Sequence, residues 1–78
     1  MAYRSAARAK KRAYTIEIDR EQDGRWIAEI PQLPGVMAYG KTQSEAERRV
    51  KALALRVIAD RIENKRAPNS ASFQFDVA

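Results

Sequence analysis

Residues 35–42, GVMAYGKT, fit the phosphate-binding pattern G-x-x-x-x-G-K-[ST], in which Lys41 would contact phosphates and Thr42 would bind magnesium. A P-loop must connect a buried strand to a helix through a flexible loop whose amides surround the phosphate. The variable residues Val-Met-Ala-Tyr are instead typical of a strand, and the preceding Pro-Gln-Leu-Pro cannot form a central one. We therefore predict a strand end at Gly40, a turn at Lys41 and a helix N-cap at Thr42, with no nucleotide cofactor.

Carboxylates at strand positions are the second set of candidates for chemistry: Glu17, Asp19, Glu29 and Asp76. Such groups hold the two metal ions of many nucleases, but their spacing here is that of the polar face of a half-solvated sheet. An acidic face could instead receive a basic protein, because complementary charge speeds encounter and orients the partner. Cysteine and histidine are absent from the sequence, which excludes thiol nucleophiles and imidazole bases. We expect a non-enzymatic protein that needs no metal or other cofactor.

The net charge of +5 comes entirely from the N-terminal segment. Five basic residues precede every acidic residue of the chain: Arg4, Arg8, Lys10, Lys11 and Arg12. Subtracting these five from the 15 Lys and Arg leaves ten, which balance the ten Asp and Glu. We therefore divide the chain into a basic flexible arm, residues 1–12, and a formally neutral domain, residues 13–78. The arm is either a solvated tail or a nucleic-acid contact, in which each bound Lys or Arg displaces a counterion.

The length of 78 residues allows one domain with one modest core. No apolar run approaches the roughly 18 residues of a membrane span, and the basic start lacks the apolar segment of a secretory signal. We expect a cytoplasmic protein that does not enter the membrane.

Hydrophobic alternation predicts three short strands. In the first, Tyr14, Ile16 and Ile18 face the core; in the second, residues 25–30, Trp26 is expected in the core. Asp23-Gly24 marks the hairpin turn between them, and Leu33-Pro34-Gly35-Val36 predicts a type II turn before the third strand. For Tyr39, at the end of that strand, core packing and a surface anchor both stay open.

A long helix follows, with a capping box in which Thr42 accepts from the Glu45 amide and Glu45 reaches back to the Thr42 amide. Its apolar stripe recurs at spacings of three and four residues: Ala46, Val50, Leu53, Ala54, Val57, Ile58 and Ile62. The last strand, SFQFDV, is expected to point Phe73, Phe75 and Val77 inward. The prediction is an α+β fold of order β-β-β-α-β: an antiparallel meander, a crossover helix covering one face, and a fourth strand.

Residues 13–66 resemble the HicB family of antitoxins. The resemblance is carried by the strand pair, by the Leu-Pro-Gly turn, by Gly-x-Thr and by the Glu-Ala helix start. The corresponding structural residues are Leu33, Pro34, Gly35, Gly40, Thr42, Glu45 and Ala46.

This resemblance implies a partial RNase H-like fold without a nuclease centre. It also implies a partner, a HicA-like toxin, which is a small basic protein that cleaves RNA. Many members carry a C-terminal DNA-binding domain, whereas one strand follows Pro68 here, so we expect a short form without it. The candidate toxin-binding residues are Glu17, Asp19, Glu29 and Tyr39. A homodimer or tetramer is also expected, because Ile27 and Met37 point away from the single helix.

Overall fold

The computed structural model describes residues 11–64 and 72–78. The helix and strands confirm the predicted α+β order β-β-β-α-β. Their bounds are β1 Lys11–Arg20, β2 Trp26–Glu29, β3 Met37–Gly40, α1 Gln43–Glu63 and β4 Ser72–Val77.

The boundary between arm and domain lies earlier than residue 13. β1 begins at Lys11, because β4 pairs with it from Lys11 opposite Ser72 onward. Lys11 and Arg12 therefore belong to the sheet and not to the arm. The other three predicted arm cations, Arg4, Arg8 and Lys10, lie outside the described residues.

The four strands form one mixed sheet in the order β3-β2-β1-β4. β1, β2 and β3 form the antiparallel meander, and β4 runs parallel to β1 on the opposite edge. A parallel neighbour requires a crossover connection, which α1 provides by carrying the chain from the β3 edge to the β4 edge. The aromatic rings of Tyr14 and Phe75 stack across the parallel pair with 5.6 Å between their centroids.

Both predicted glycine turns are present. In the first hairpin, Gly24 has φ 92° and the Glu21 amide donates to the Arg25 carbonyl at 2.7 Å. In the second, Gly35 has φ 85° and the Val36 amide donates to the Leu33 carbonyl at 3.0 Å, as a type II turn requires.

Replacing Gly35 by valine is expected to destabilise the protein by about 1–2 kcal/mol, because a β-branched residue is strained at positive φ. A Cβ built at Gly35 meets nothing within 4 Å, so crowding adds nothing to this cost. Gly35→Asn should lose less, since asparagine tolerates this conformation. Thermal melts of both variants make the comparison, and an unchanged melting temperature for Gly35→Val would show that the turn is not needed.

The core lies between α1 and the inner face of the sheet. Val50 of the helix and Ile16 of β1 are each 0% exposed. The apolar stripe of α1 is confirmed, and Trp26 packs against the core as predicted. The buried residues are Ile16, Ala28, Ile30, Leu33, Val36, Ala46, Val50, Ala54 and Ile58.

Val77 does not follow the predicted inward pattern. Its side chain is 45% exposed, whereas Phe73 and Phe75 of the same strand pack against the core. The helix lies mainly over β3 and β2 and contacts β1 less. Val77 is thus at the end of an edge strand that the helix does not cover well.

Candidate functional site

Gly40 marks the closest approach between the sheet and the helix. A Cβ built on Gly40 would lie 2.4 Å from the backbone nitrogen of Ala46 and 3.0 Å from its Cα. The P-loop-like glycine therefore allows β3 to pack against the first turn of α1 without a phosphate. Thr42 follows in extended conformation, and its hydroxyl accepts from the Glu45 amide at 3.0 Å, which confirms the N-cap.

The second half of the capping box differs from the prediction. The Glu45 carboxylate accepts from the Lys41 amide at 2.9 Å and not from the amide of Thr42. Because β3 ends directly against the first helical turn, the Lys41 amide is the donor that lies beside this carboxylate. That hydrogen bond, followed by the positive charges of Arg49, Arg48 and Lys41, lowers the pKa of Glu45 below its ordinary value.

Replacing Thr42 by alanine is expected to cost about 1 kcal/mol of stability, because the Glu45 amide loses its acceptor. Thr42→Ser keeps a hydroxyl at this position and should retain most of the stability. Urea denaturation of the two variants measures the difference. Equal loss in both would mean that the threonine methyl group, and not the cap, carries the effect.

The sheet face away from α1, called the open face here, collects the predicted toxin-binding residues. Glu17 of β1 lies opposite Glu29 of β2, which in turn lies opposite Met37 of β3. In the next row, Asp19 lies opposite Ile27, and Ile27 lies opposite Tyr39. Directly opposite residues of antiparallel strands share a face. All four candidates, Glu17, Asp19, Glu29 and Tyr39, therefore occupy the open face.

The pairing of Glu17 with Glu29 is unfavourable for the isolated protein. Like charges directly opposite each other destabilise an antiparallel pair, and both glutamates are exposed. Positive charge brought by a partner would remove this repulsion. The open face therefore has an electrostatic reason to bind a basic surface.

Apolar side chains lie beside these carboxylates on the open face. Met37 is 42% and Tyr39 37% exposed, and Ile27 is half-buried. Tyr39 is thus a surface residue, which excludes the core packing that its sequence position leaves open. An exposed aromatic ring beside carboxylates is a common anchor of protein interfaces.

The two ends of the open face are formed by residues that no motif indicates. At one end, Gln32 exchanges two 3.2 Å hydrogen bonds with Thr15 and so attaches the loop after β2 to the sheet. At the other end, the Arg25 guanidinium lies 4.3 Å from the centroid of the Tyr39 ring. Asp23 holds that guanidinium through Nε at 2.7 Å. The Gln32–Thr15 and Arg25–Tyr39 contacts join distant parts of the chain and leave no periodic signal in the sequence.

Asp76 lies on the same open face, at the β4 side of the sheet. It is opposite Thr15, which shares a face with Glu17 two residues further along β1. The Asp76 carboxylate accepts from the Gln74 side-chain amide at 2.9 Å. Within residues 11–64 and 72–78, no group of three or more Asp or Glu residues is arranged to hold a metal ion. None of the helical residues described here forms a segment long and apolar enough to cross a bilayer.

Comparison with known proteins gives one partial similarity. No family model matches the chain, and no solved structure matches it. Over 33 residues the chain is 42% identical to the UPF0150 protein Ta0767 of Thermoplasma acidophilum. The aligned stretch covers 42% of this chain and 48% of that protein. The chain thus spans about half the length of the curated relative that it matches. Part of this four-stranded α+β domain is therefore similar to a UPF0150 protein.

Proposed function

We propose that this protein is an antitoxin that binds and neutralises a small basic HicA-like toxin by covering its RNA-cleaving surface. The observation that carries the proposal is the open face, where Glu17, Glu29 and Asp19 lie beside exposed Met37 and Tyr39. The HicB-like pattern of residues 13–66 supplies the class of partner. The similarity to a UPF0150 protein is compatible with this role.

The charges of the open face define how the partner is held. Glu17 and Glu29 repel each other in the free protein, and a lysine or arginine of the toxin placed between them turns that repulsion into attraction. Complementary charge of this kind speeds encounter and fixes orientation. Met37 and Tyr39 add apolar contact, which supplies the part of the affinity that salt does not screen.

Neutralisation by this route needs no catalytic residue. A toxin that binds RNA through a basic surface loses access to its substrate when an acidic face covers that surface. The antitoxin therefore acts as a non-enzymatic inhibitor, and no step requires a metal or cofactor from this chain.

The test is co-expression with the small basic protein encoded by a neighbouring reading frame, followed by affinity purification and a growth assay. We expect the two proteins to purify together, growth to be restored, and the complex to weaken as salt rises. Failure to bind, together with metal-dependent RNA cleavage by this chain alone, would overturn the proposal.

Self-association is proposed as a second property, resting on the exposed side chains of Met37 and Tyr39. Two open faces packed against each other would bring two Glu17–Glu29 pairs together, so this packing is disfavoured at low salt. Because Met37 and Tyr39 lie in the same rows as these carboxylates, we expect a dimer or tetramer built on them to form at high salt and to be dissociated by the toxin. Analytical sedimentation of the free protein and of its complex with toxin tests this expectation. If toxin dissociates the dimer, the toxin and the second copy of this chain bind the same surface.

A further inference from the structure

A cavity lies where β3 ends and α1 begins, beside the open face, with which it shares Tyr39 among its lining residues. It has a volume of about 320 Å³, within the range of small-ligand sites, and it is open to solvent. Its lining comes from three parts of the chain: Arg25, Tyr39, Gly40, Lys41, Glu45 and Arg49.

The lining is cationic in a way that specifies the ligand. Arg25, Lys41 and Arg49 contribute three positive charges and Glu45 one negative charge. Asp23, which pairs with Arg25 at 2.7 Å beside the lining, reduces the net charge of the site to +1. A phosphate monoester carries about −1.5 to −2 at pH 7, so the site attracts it. A carboxylate ligand needs only one arginine for bidentate binding. Three cations around one cavity therefore fit a phosphate better than a carboxylate.

The two arginines are held in place by contacts that use only part of each guanidinium. Arg49 donates through Nη1 to the Tyr39 carbonyl at 3.0 Å and lies 3.4 Å from the Glu45 carboxylate. Arg25 uses Nε for Asp23 and lies over the Tyr39 ring. Each guanidinium has five N–H donors, so donors remain for a ligand. Lys41 is exposed, and it makes no ion pair with a described residue.

The backbone amides at the start of α1 are not available to bind a ligand in this cavity. The Glu45 amide is bonded to the Thr42 hydroxyl, and the Lys41 amide is bonded to the Glu45 carboxylate. A ligand would therefore be held by side chains, unlike the backbone cradle of a P-loop.

We propose that this cavity binds the terminal phosphate monoester of a nucleotide or of an oligonucleotide 5′ end, held by Arg25, Lys41 and Arg49. The ring of Tyr39 lines the same cavity and is covered by the Arg25 guanidinium, so a base beside the phosphate would stack on the plane of that guanidinium. Lys41 of the P-loop-like motif would thus contact a phosphate, but in a site formed by side chains and not by a backbone loop.

The experiment compares AMP, one oligoribonucleotide with a 5′-phosphate, the same oligoribonucleotide with a 5′-hydroxyl, and a phosphoserine peptide. Fluorescence anisotropy or calorimetry on the full chain measures each affinity. We expect the 5′-phosphate to tighten oligonucleotide binding by about tenfold or more, and the advantage to shrink as pH falls below about 6, where the monoester gains a proton. AMP binding as tightly as the phosphorylated oligonucleotide identifies a mononucleotide as the ligand, and weaker AMP binding identifies an RNA end.

Lys41→Gln is the informative variant, because its side chain supports no described contact of the fold. It should remove most of the phosphate-dependent advantage without lowering the melting temperature. Lys51→Gln is the matched control, since Lys51 is a helix cation paired with Glu47 outside the cavity. Equal affinity for the 5′-phosphate and the 5′-hydroxyl, an unchanged advantage in Lys41→Gln, or tighter binding of the phosphoserine peptide would overturn the proposal.

Discussion

Gly40→Ala is expected to destabilise the protein by about 3 kcal/mol or more, the upper range for overpacking a core. The added Cβ would lie 2.4 Å from the backbone nitrogen of Ala46, a residue that is 0% exposed. Backbone atoms of a helix cannot rotate away as a side chain can, so β3 and α1 must separate. For a domain of total stability near 5–10 kcal/mol, such a loss leaves little reserve.

The control for this effect is Gly24→Ala. A Cβ built at Gly24 meets nothing within 4 Å, but the residue has φ 92°, so this variant reports backbone strain alone. Urea denaturation followed by circular dichroism compares the two variants. Equal losses would contradict the close-approach argument. Ala46→Gly should not rescue Gly40→Ala, because the clash involves the backbone and not the alanine side chain.

Reversing charge on the open face is expected to separate binding from folding. Glu17→Lys turns the repulsive pair with Glu29 into an attractive one, which should stabilise the fold by about 0.2–1 kcal/mol. The same change should weaken binding of the basic toxin, and combining it with Glu29→Lys should weaken binding by at least about 100-fold, because like charges across an interface cost several kcal/mol. Thermal melts and affinity measurements on the same samples test both halves.

Glu63→Lys provides the matched control for charge. It makes the same change in net charge as Glu17→Lys alone, at the exposed end of α1 and away from the open face. Its toxin affinity should stay within a few-fold of the wild type. If Glu17→Lys binds as well as this control does, the open face is not the toxin-binding surface.

The elements of this fold could be predicted from the sequence because each depends on neighbours along the chain. Alternation at Tyr14, Ile16 and Ile18 determines which side of β1 faces the core. The left-handed conformation of Gly35 follows from Leu-Pro-Gly, and the N-cap at Thr42 follows from its spacing to Glu45. Period and turn chemistry involve only a few residues, so one sequence is enough to read them.

The features that only the tertiary structure decided depend on contacts between residues that are distant in the chain. The sequence predicts that Glu17 and Glu29 are strand carboxylates, but only the strand register places them opposite each other. The position of β4 at the edge of the sheet, beside the strand that the helix contacts less, leaves Val77 exposed against the prediction. The cationic cavity likewise needs the hairpin, β3 and α1 to meet at one corner. Local patterns set the period of an element but not its register or its neighbours, which follow from how the elements pack together.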